Sequence, residues 1–284
     1  MSKVLSIGMA TFDDYDGVFF TIEALRLYHQ ICKTDNVEFI ILDNNPTGKH
    51  AECLKNLSNA VRGKYIPYDE KPSSFNKYKV VDHADGKYVM IVDCHVLLVE
   101  NALNYLMQYF DNHPNCKDLV QGPLLYDDLQ NYSTEFFPQW RGHMYGTWHT
   151  NKEAYERAEP FEIKLQGMGL CAFEKSNWPG INDHFRGFGA EEGYMAEKFR
   201  QNGGKNICIP QLKWVHRFGR PEGVKYRLIL EDRIWNYFIG WLEITRDPEH
   251  EMVKSTYEHF KDLIPKGSID NIFNQAKQLI LGEK

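Results

Sequence analysis

Through the first 115 residues, short apolar runs alternate with stretches of helical period. Lys3 to Met9 reads as a strand, and Gly17 to Gln30 as an amphipathic helix offering Val18, Ile22, Leu25 and Leu27 to one face. Val37 to Leu42 is a second strand that closes on Asp43-Asn44-Asn45-Pro46, a run of turn formers. A helix over residues 50–62, a short strand from Lys64 to Pro67 and a helix from Phe75 to Ala84 follow. The buried-type strand Tyr88-Val89-Met90-Ile91-Val92 then ends at Asp93, and Asn101 to Asn112 is helical again. Such β-α alternation predicts an α/β fold with a mostly parallel sheet covered on both faces. Right-handed crossovers then align the strand C-termini along one edge, where ligands collect.

Beyond residue 115 the pattern loosens. Val120 to Tyr126 reads as a strand, and residues 127–165 as a polar, aromatic stretch without clear period, expected to be a functional loop or partly disordered. Within it, Trp140, Arg141, Trp148 and His149 are expected either to grip sugar or acceptor or to form an aromatic mini-core. Gly167 to Phe173 reads as a strand opened by glycines, Glu191 to Gln201 as a helix ended by Gly203-Gly204, and Asn206 to Pro210 as a strand. From about Lys225 to Leu281 the pattern is helical. The expected organisation is a domain over 1–224, with a nucleotide-binding half (1–115) and an acceptor half (116–224), followed by a C-terminal helical extension over 225–284.

Composition narrows the class. With 284 residues, 43% hydrophobic and 25% charged, the chain can bury a substantial core. Its formal charge of −6 argues against nonspecific coating of nucleic acid. The six cysteines are widely spaced without a Cys-X-X-Cys pair, which suits reduced thiols rather than a disulfide framework or zinc ribbon. The chain enters a strand at once and carries no apolar run long enough to span a bilayer, so a cytoplasmic protein without a signal peptide is expected.

The chemistry concentrates where the strand at 88–92 stops. Asp93 and His95 stand two positions apart, and residues i and i+2 of an extended segment point the same way. A carboxylate and an imidazole converging on one point suit a divalent cation, Mn²⁺ better than Mg²⁺, and that cation can hold a diphosphate.

Taken in order, these features resemble the GT-A glycosyltransferases, particularly the family 2 enzymes and the catalytic domain of the polypeptide N-acetylgalactosaminyltransferases. Asp93-Cys94-His95 looks like the Asp-X-Asp or Asp-X-His motif that binds Mn²⁺ or Mg²⁺ at the nucleotide-sugar diphosphate. Gly187-Phe188-Gly189-Ala190-Glu191-Glu192 resembles the Gly-rich turn and acidic helix start, with Glu where many inverting members have Asp. Trp214-Val215-His216 resembles the segment carrying the late histidine that completes the metal site. Gly167 and Gly169 match the small-residue strand under the donor sugar. Thr11, Phe12 and Asp13, with Asp43 and Asn45, occupy the places where the family holds the nucleoside, typically uridine. The resemblance covers about residues 3 to 220 and implies a Rossmann-like GT-A sheet.

Under that reading Asp93, His95 and His216 are metal ligands, and Arg217 and Arg220 are placed to bind phosphate. Glu192, with Glu191 as the alternative, is the candidate general base on an acceptor hydroxyl, giving direct displacement with inversion. The expected function is transfer of a sugar from a nucleotide sugar, UDP-linked by preference, to a hydroxyl on a glycan, a protein, a small molecule or DNA. A narrower version takes hydroxymethylated bases of DNA as acceptor, with Lys213, Arg217, Arg220, Lys225 and Arg227 along one groove. A noncatalytic nucleotide-sugar binder on the same fold is the competing class. The retained Asp93, His95, Glu192 and His216 argue against it. A nucleotidyltransferase is disfavoured because Asp13 and Asp14 in the first loop would repel a triphosphate. The aromatic helical segment Ile234 to Leu242 is expected to serve core or homodimer packing rather than a membrane surface.

Overall fold

The computed structural model describes residues 3–70, 73–220, 223–224 and 228–282. The alternating first half folds as β1 (Leu5–Thr11), α1 (Tyr15–Tyr28), β2 (Val37–Asp43), α2 (Ala51–Ala60), β3 (Lys64–Pro67), α3 (Val80–His83) and β4 (Tyr88–Val92). A short β5 (Val96–Leu98) and α4 (Ala102–Asn112) follow. The expected helix from Phe75 to Ala84 is instead a 3₁₀ turn, Ser74–Lys79, leading into the single turn of α3.

The second half comprises β6 (Leu119–Gln121), β7 (Leu124–Leu125), β8 (Tyr132–Ser133), β9 (Glu135–Arg141), β10 (Met144–His149), α5 (Lys152–Glu156), β11 (Phe161–Glu162) and β12 (Leu170–Glu174). Then come α6 (Glu191–Gln201), β13 (Asn206–Cys208), β14 (Trp214–His216), α7 (Leu230–Thr245), α8 (Glu251–Phe260) and α9 (Lys266–Leu281).

The central sheet has the order β11-β13-β6-β12-β4-β1-β2-β3. Strands β1, β2, β3, β4, β6 and β13 point one way, and β11 and β12 the other. Helices cover both faces: α1, α2 and α4 lie over one apolar layer, and α6 to α9 over the other. This is a GT-A fold with a mostly parallel sheet and a C-terminal helical part. Thr11 pairs with Asp43, and β1 also pairs with β4. The ends of these three strands therefore come out at one edge.

Two further expectations are corrected. Val120 to Tyr126 is two strands, not one: β6 belongs to the central sheet and β7 to a smaller sheet of order β5-β14-β7-β8. Gly122-Pro123 makes the break. A Cβ on Gly122 would lie 1.7 Å from the Leu212 carbonyl oxygen, and Pro123 has no N–H for a ladder. The stretch 127–165 is not an irregular loop, because β9 and β10 form an antiparallel hairpin. Its period is masked because the inward residues are aromatic-polar hybrids. Trp140 lies in an aromatic cluster with Tyr237, His259 and Phe260 while its indole N–H donates to Ser255 Oγ at 2.8 Å.

Ile234, Trp235, Tyr237, Phe238, Trp241 and Leu242 are all buried in the layer shared with α6, so this helix serves the core. Among the described residues, no helix is long and apolar enough to cross a membrane.

Candidate functional site

The edge where β1 and β4 end opens into a cleft of ≈ 290 Å³. Thr11, Phe12, Asp13, Asp93, His95, Arg217 and Arg220 line it together, joined by Asp14, Asn44, His50 and Lys77. Local pairing explains the convergence. The Asp93 N–H donates to the Gly169 carbonyl at 2.9 Å as β4 meets β12, and β14 lies antiparallel to β5 with His216 opposite Val96. The Arg217 N–H then donates to the His95 carbonyl at 3.1 Å. Two sheets thus deliver Asp93, His95 and His216 to one point.

His216 Nε2 lies 3.2 Å from Asp93 Oδ2, and the His95 and His216 rings meet edge to face at 4.8 Å between centroids. The ligand atoms of Asp93, His95 and His216 lie within 4.8 Å of one another. His216 Nδ1 is buried without a hydrogen-bond partner. Two imidazoles and a carboxylate form a borderline donor set that fits Mn²⁺ better than Mg²⁺, which prefers all-oxygen surroundings.

His95 is turned by its second nitrogen. Nδ1 lies 3.0 Å from Asp14 Oδ2, and Arg220 Nη2 lies 3.2 Å from Nε2. A guanidinium only donates, so the consistent tautomer carries the proton on Nδ1 and leaves the Nε2 lone pair toward the cleft. Burial pulls the His95 pKa down despite the Asp14 carboxylate, which keeps the imidazole neutral and able to ligate. Asp14 also accepts from Arg217 Nη2 at 2.6 Å. Burial would raise its carboxyl, yet His95 and Arg217 hold it well below the usual range.

Lys77, Asp14 and His50 are site residues that sequence reasoning missed. The Lys77 ammonium donates to the Met168 carbonyl at 2.7 Å and lies 3.4 Å from Asp93 Oδ1. Burial of Asp93 would raise its pKa, but Lys77 and then His216 depress it strongly. Burial is the largest single influence on Lys77 and lowers its pKa, but Asp93 together with Glu191, Cys171 and Glu192 raises it by more, so the ammonium stays charged. Lys77 falls inside the helix expected from Phe75 to Ala84, and nothing in that local pattern signals that it turns inward. Asp14 reads in the sequence only as an acidic residue of the first loop; in the structure it caps α1 by accepting from the Gly17 N–H at 3.2 Å.

The remaining candidates stand outside the cleft lining. Asp43 is buried, with one oxygen accepting from the Asn45 N–H at 2.9 Å and the other from the Tyr65 hydroxyl at 2.7 Å. The Asn45 side-chain amide in turn donates to Asp13 Oδ2 at 2.9 Å and so braces the cleft wall. A Cβ on Gly167 would meet the Trp148 ring at 2.6 Å, and one on Gly169 the Trp214 ring at 3.0 Å and Asp93 Oδ2 at 3.4 Å. Lys225 and Arg227 lie outside the described residues.

Glu191 and Glu192 begin α6, and each has a buried carboxylate oxygen, Oε2, without a partner. Burial raises the pKa of both, and the Glu191 charge adds to the rise at Glu192. The turn that sets them runs through Gly187, Gly189 and Ala190, all at positive φ. Asn236 on α7 holds that turn from below. Its amide donates to the carbonyls of Arg186 (2.7 Å) and Gly189 (3.1 Å) and accepts from the Arg186 N–H at 2.7 Å.

Comparison with known proteins agrees with this architecture. Residues 6–172 match the model of the family described as glycosyl transferase family 2. None of the curated proteins matches the sequence significantly. Among solved structures, the chain is similar to GalNAc-T7 with UDP, GalNAc and Mn²⁺, at TM-score 0.70 and 14% identity, covering 98% of this chain and 54% of that one. It thus spans about half the length of that relative. It is also similar to mannosyltransferase PcManGT from Pyrobaculum calidifontis in complex with GDP-Man and Mn²⁺ (TM-score 0.59, 13% identity, 100% of this chain and 76% of that one). A third is TarS 1–349 of S. aureus in complex with UDP-GlcNAc (TM-score 0.57, 10% identity, 98% and 81%). At these identities the structures speak for the fold alone. The family match spans more than half of the sequence, and the chain belongs to glycosyl transferase family 2.

Proposed function

We propose that this chain transfers a sugar from a nucleotide-sugar donor, UDP-linked by preference, to a hydroxyl acceptor, with a divalent cation at Asp93, His95 and His216. The observation that carries the reading is the meeting of those three side chains, from two different sheets, at the strand-end cleft of a glycosyltransferase fold. The structural neighbours solved with UDP or GDP-mannose and Mn²⁺ support it by analogy.

Bound there, Mn²⁺ supplies Lewis-acid stabilisation of the leaving nucleoside diphosphate. The chain's own residues do the rest. Arg217 and Arg220 donate to the diphosphate oxygens when they exchange Asp14 and His95 for the ligand. Lys77 keeps Asp93 ionised and fixes its orientation. Phe12, Asp13, Asn44 and His50 face the nucleoside, while Gly167 and Gly169 keep the floor under the sugar low. In this reading Glu192 takes the acceptor hydroxyl proton onto its unpartnered carboxylate oxygen, Oε2, from the face opposite the leaving group, and Asn236 steadies the turn that precedes it. Attack from that face inverts the anomeric centre. Glu191 raises the basicity of its neighbour by charge repulsion. Six unpaired thiols support a reducing, cytoplasmic setting.

Arg217 and Arg220 are turned onto Asp14 and His95, and Lys213 lies over the Tyr155 ring. Of these described basic residues, Arg217 and Arg220 face the donor cleft and Lys213 does not, and none favours duplex DNA over another acceptor. The test is release of free nucleoside diphosphate from a panel of nucleotide sugars with Mn²⁺, with and without chelator. Metal-dependent release from one donor is expected. Silence across the panel, with no UDP binding by calorimetry, overturns the proposal.

A further inference from the structure

His95 has a second side. Its Nδ1 faces away from the Asp93–His216 pair, toward Asp14 and the thiol of Cys94. Asp14 Oδ2 lies 3.0 Å from His95 Nδ1, Cys94 Sγ lies 3.5 Å from the same nitrogen, and Sγ and Oδ2 are 3.7 Å apart. A carboxylate oxygen, an imidazole nitrogen and a sulfur thus form a closed triangle.

The dimensions of that triangle are informative. Tetrahedral zinc with its usual bonds to oxygen, nitrogen and sulfur has ligand–ligand edges of about 3.3–3.6 Å. The three observed edges lie within a few tenths of an ångström of those values. Asp14, Cys94 and His95 all line the cleft, which gives a path for the ion and a fourth position for water. Mn²⁺ and Mg²⁺ have little affinity for thiol sulfur, so a site containing Cys94 selects a softer ion.

The geometry points to a second metal site, formed by Asp14 Oδ2, Cys94 Sγ and His95 Nδ1, that takes Zn²⁺ or a similarly soft divalent cation. Binding releases the Cys94 proton to solvent and leaves a thiolate on the metal. The His95 proton moves from Nδ1 to Nε2 by exchange with water, Arg220 lets go of the protonated Nε2, and Arg217 gives up Asp14 Oδ2.

One imidazole then links two sites. With zinc on Nδ1 and the proton on Nε2, His95 has no lone pair to offer the cleft beside Asp93 and His216. Zinc at Asp14–Cys94–His95 therefore excludes the harder cation from the neighbouring site and acts as an inhibitor. The soft site stands on its own geometry. Only this inhibitory consequence rests on the proposed donor-metal site.

The test replaces zinc by Co²⁺ and reads the absorption spectrum of the whole chain. The wild type is expected to show thiolate-to-cobalt charge transfer and the strong visible bands of tetrahedral Co²⁺. Cys94→Ser should remove the charge transfer. Cys53→Ser, which changes the one exposed thiol, should leave it unchanged. Asp14→Asn keeps the thiol and serves if Cys94→Ser does not fold, and it should weaken cobalt binding about tenfold or more. Charge transfer that survives Cys94→Ser overturns the site. So does a wild-type spectrum with only the weak bands of an oxygen and nitrogen complex. Neither readout depends on sugar transfer, so failure here and failure of the glycosyltransferase reading are distinguishable.

Discussion

The Lys77 ammonium lies 3.4 Å from Asp93 Oδ1, with its side chain buried and Asp93 one-quarter exposed at the cleft. A lysine beside a metal-binding carboxylate looks at first like a competitor for the cation. Its bond to the Met168 carbonyl holds it on the far oxygen, Oδ1, while Oδ2 faces His216. The pair is thus arranged to keep Asp93 charged and turned toward the histidines.

Lys77→Met should therefore weaken both stability and metal binding. Breaking a buried ion pair from one side costs roughly 3–5 kcal/mol, and the partial exposure of Asp93 places this case at about the lower bound. Urea unfolding measures the loss. Mn²⁺ titration should show weaker binding on the acid side, because Asp93 without its counter-charge ionises at higher pH.

Asp93→Ala or His216→Ala should remove Mn²⁺-dependent UDP binding by more than the roughly 10–100-fold typical of losing an outer-shell partner. Calorimetry with and without Mn²⁺ reads this directly. Unchanged metal-dependent binding in either variant would move the cation elsewhere.

Asp93 and Asp14 also set an acid limit. Both carboxyls have folded-state pKa values below those of the unfolded chain. Their contribution to stability is complete above about pH 4, the unfolded carboxylate range, and is lost progressively as pH falls below it. Asp14→Asn should flatten the acid limb of a stability–pH profile measured by urea unfolding.

Glu192→Gln should lower turnover by about 10²–10⁴-fold with donor binding largely intact. Burial and the neighbouring Glu191 raise the Glu192 pKa. The ascending limb of the rate–pH profile should thus sit above the ordinary carboxylate range, and Glu191→Gln should shift it down. The same raised values mean that the folded state binds more protons than the unfolded one. Stability contributed by this pair is full below about pH 4 and declines as pH rises through the raised values.

Asn236→Ala should act on catalysis from behind. It leaves the Arg186 N–H and carbonyl and the Gly189 carbonyl without their partner, at a cost of about 1–3 kcal/mol. The turn before Glu191 loosens, so kcat should fall while the Kd for UDP with Mn²⁺ stays close to wild type. A proportional fall in both would make Asn236 a purely structural residue.

The sequence alone determined the layered α/β scaffold and the place of the site within it. Runs such as Tyr88 to Val92 are apolar because both faces of that strand are covered, and such burial leaves a strong local imprint. The stop on Asp93 and His95, and Glu191 at the first position of α6, were equally local signals. Tertiary structure alone decided what meets what. Lys77 is only one position of the helix expected from Phe75 to Ala84, and the approach of the segment before β12 brings the Met168 carbonyl to it. Asn236 sits on an aromatic helix, and its role needs that helix to pass beneath a turn about fifty residues earlier. The hairpin at 135–149 hid its period because its buried face closes on helices from the end of the chain. Spacing along a chain encodes periodicity and caps. Partners far apart in sequence are chosen by how the layers pack, and the pairing of Lys77 with Asp93 and the two sides of His95 belong to that packing.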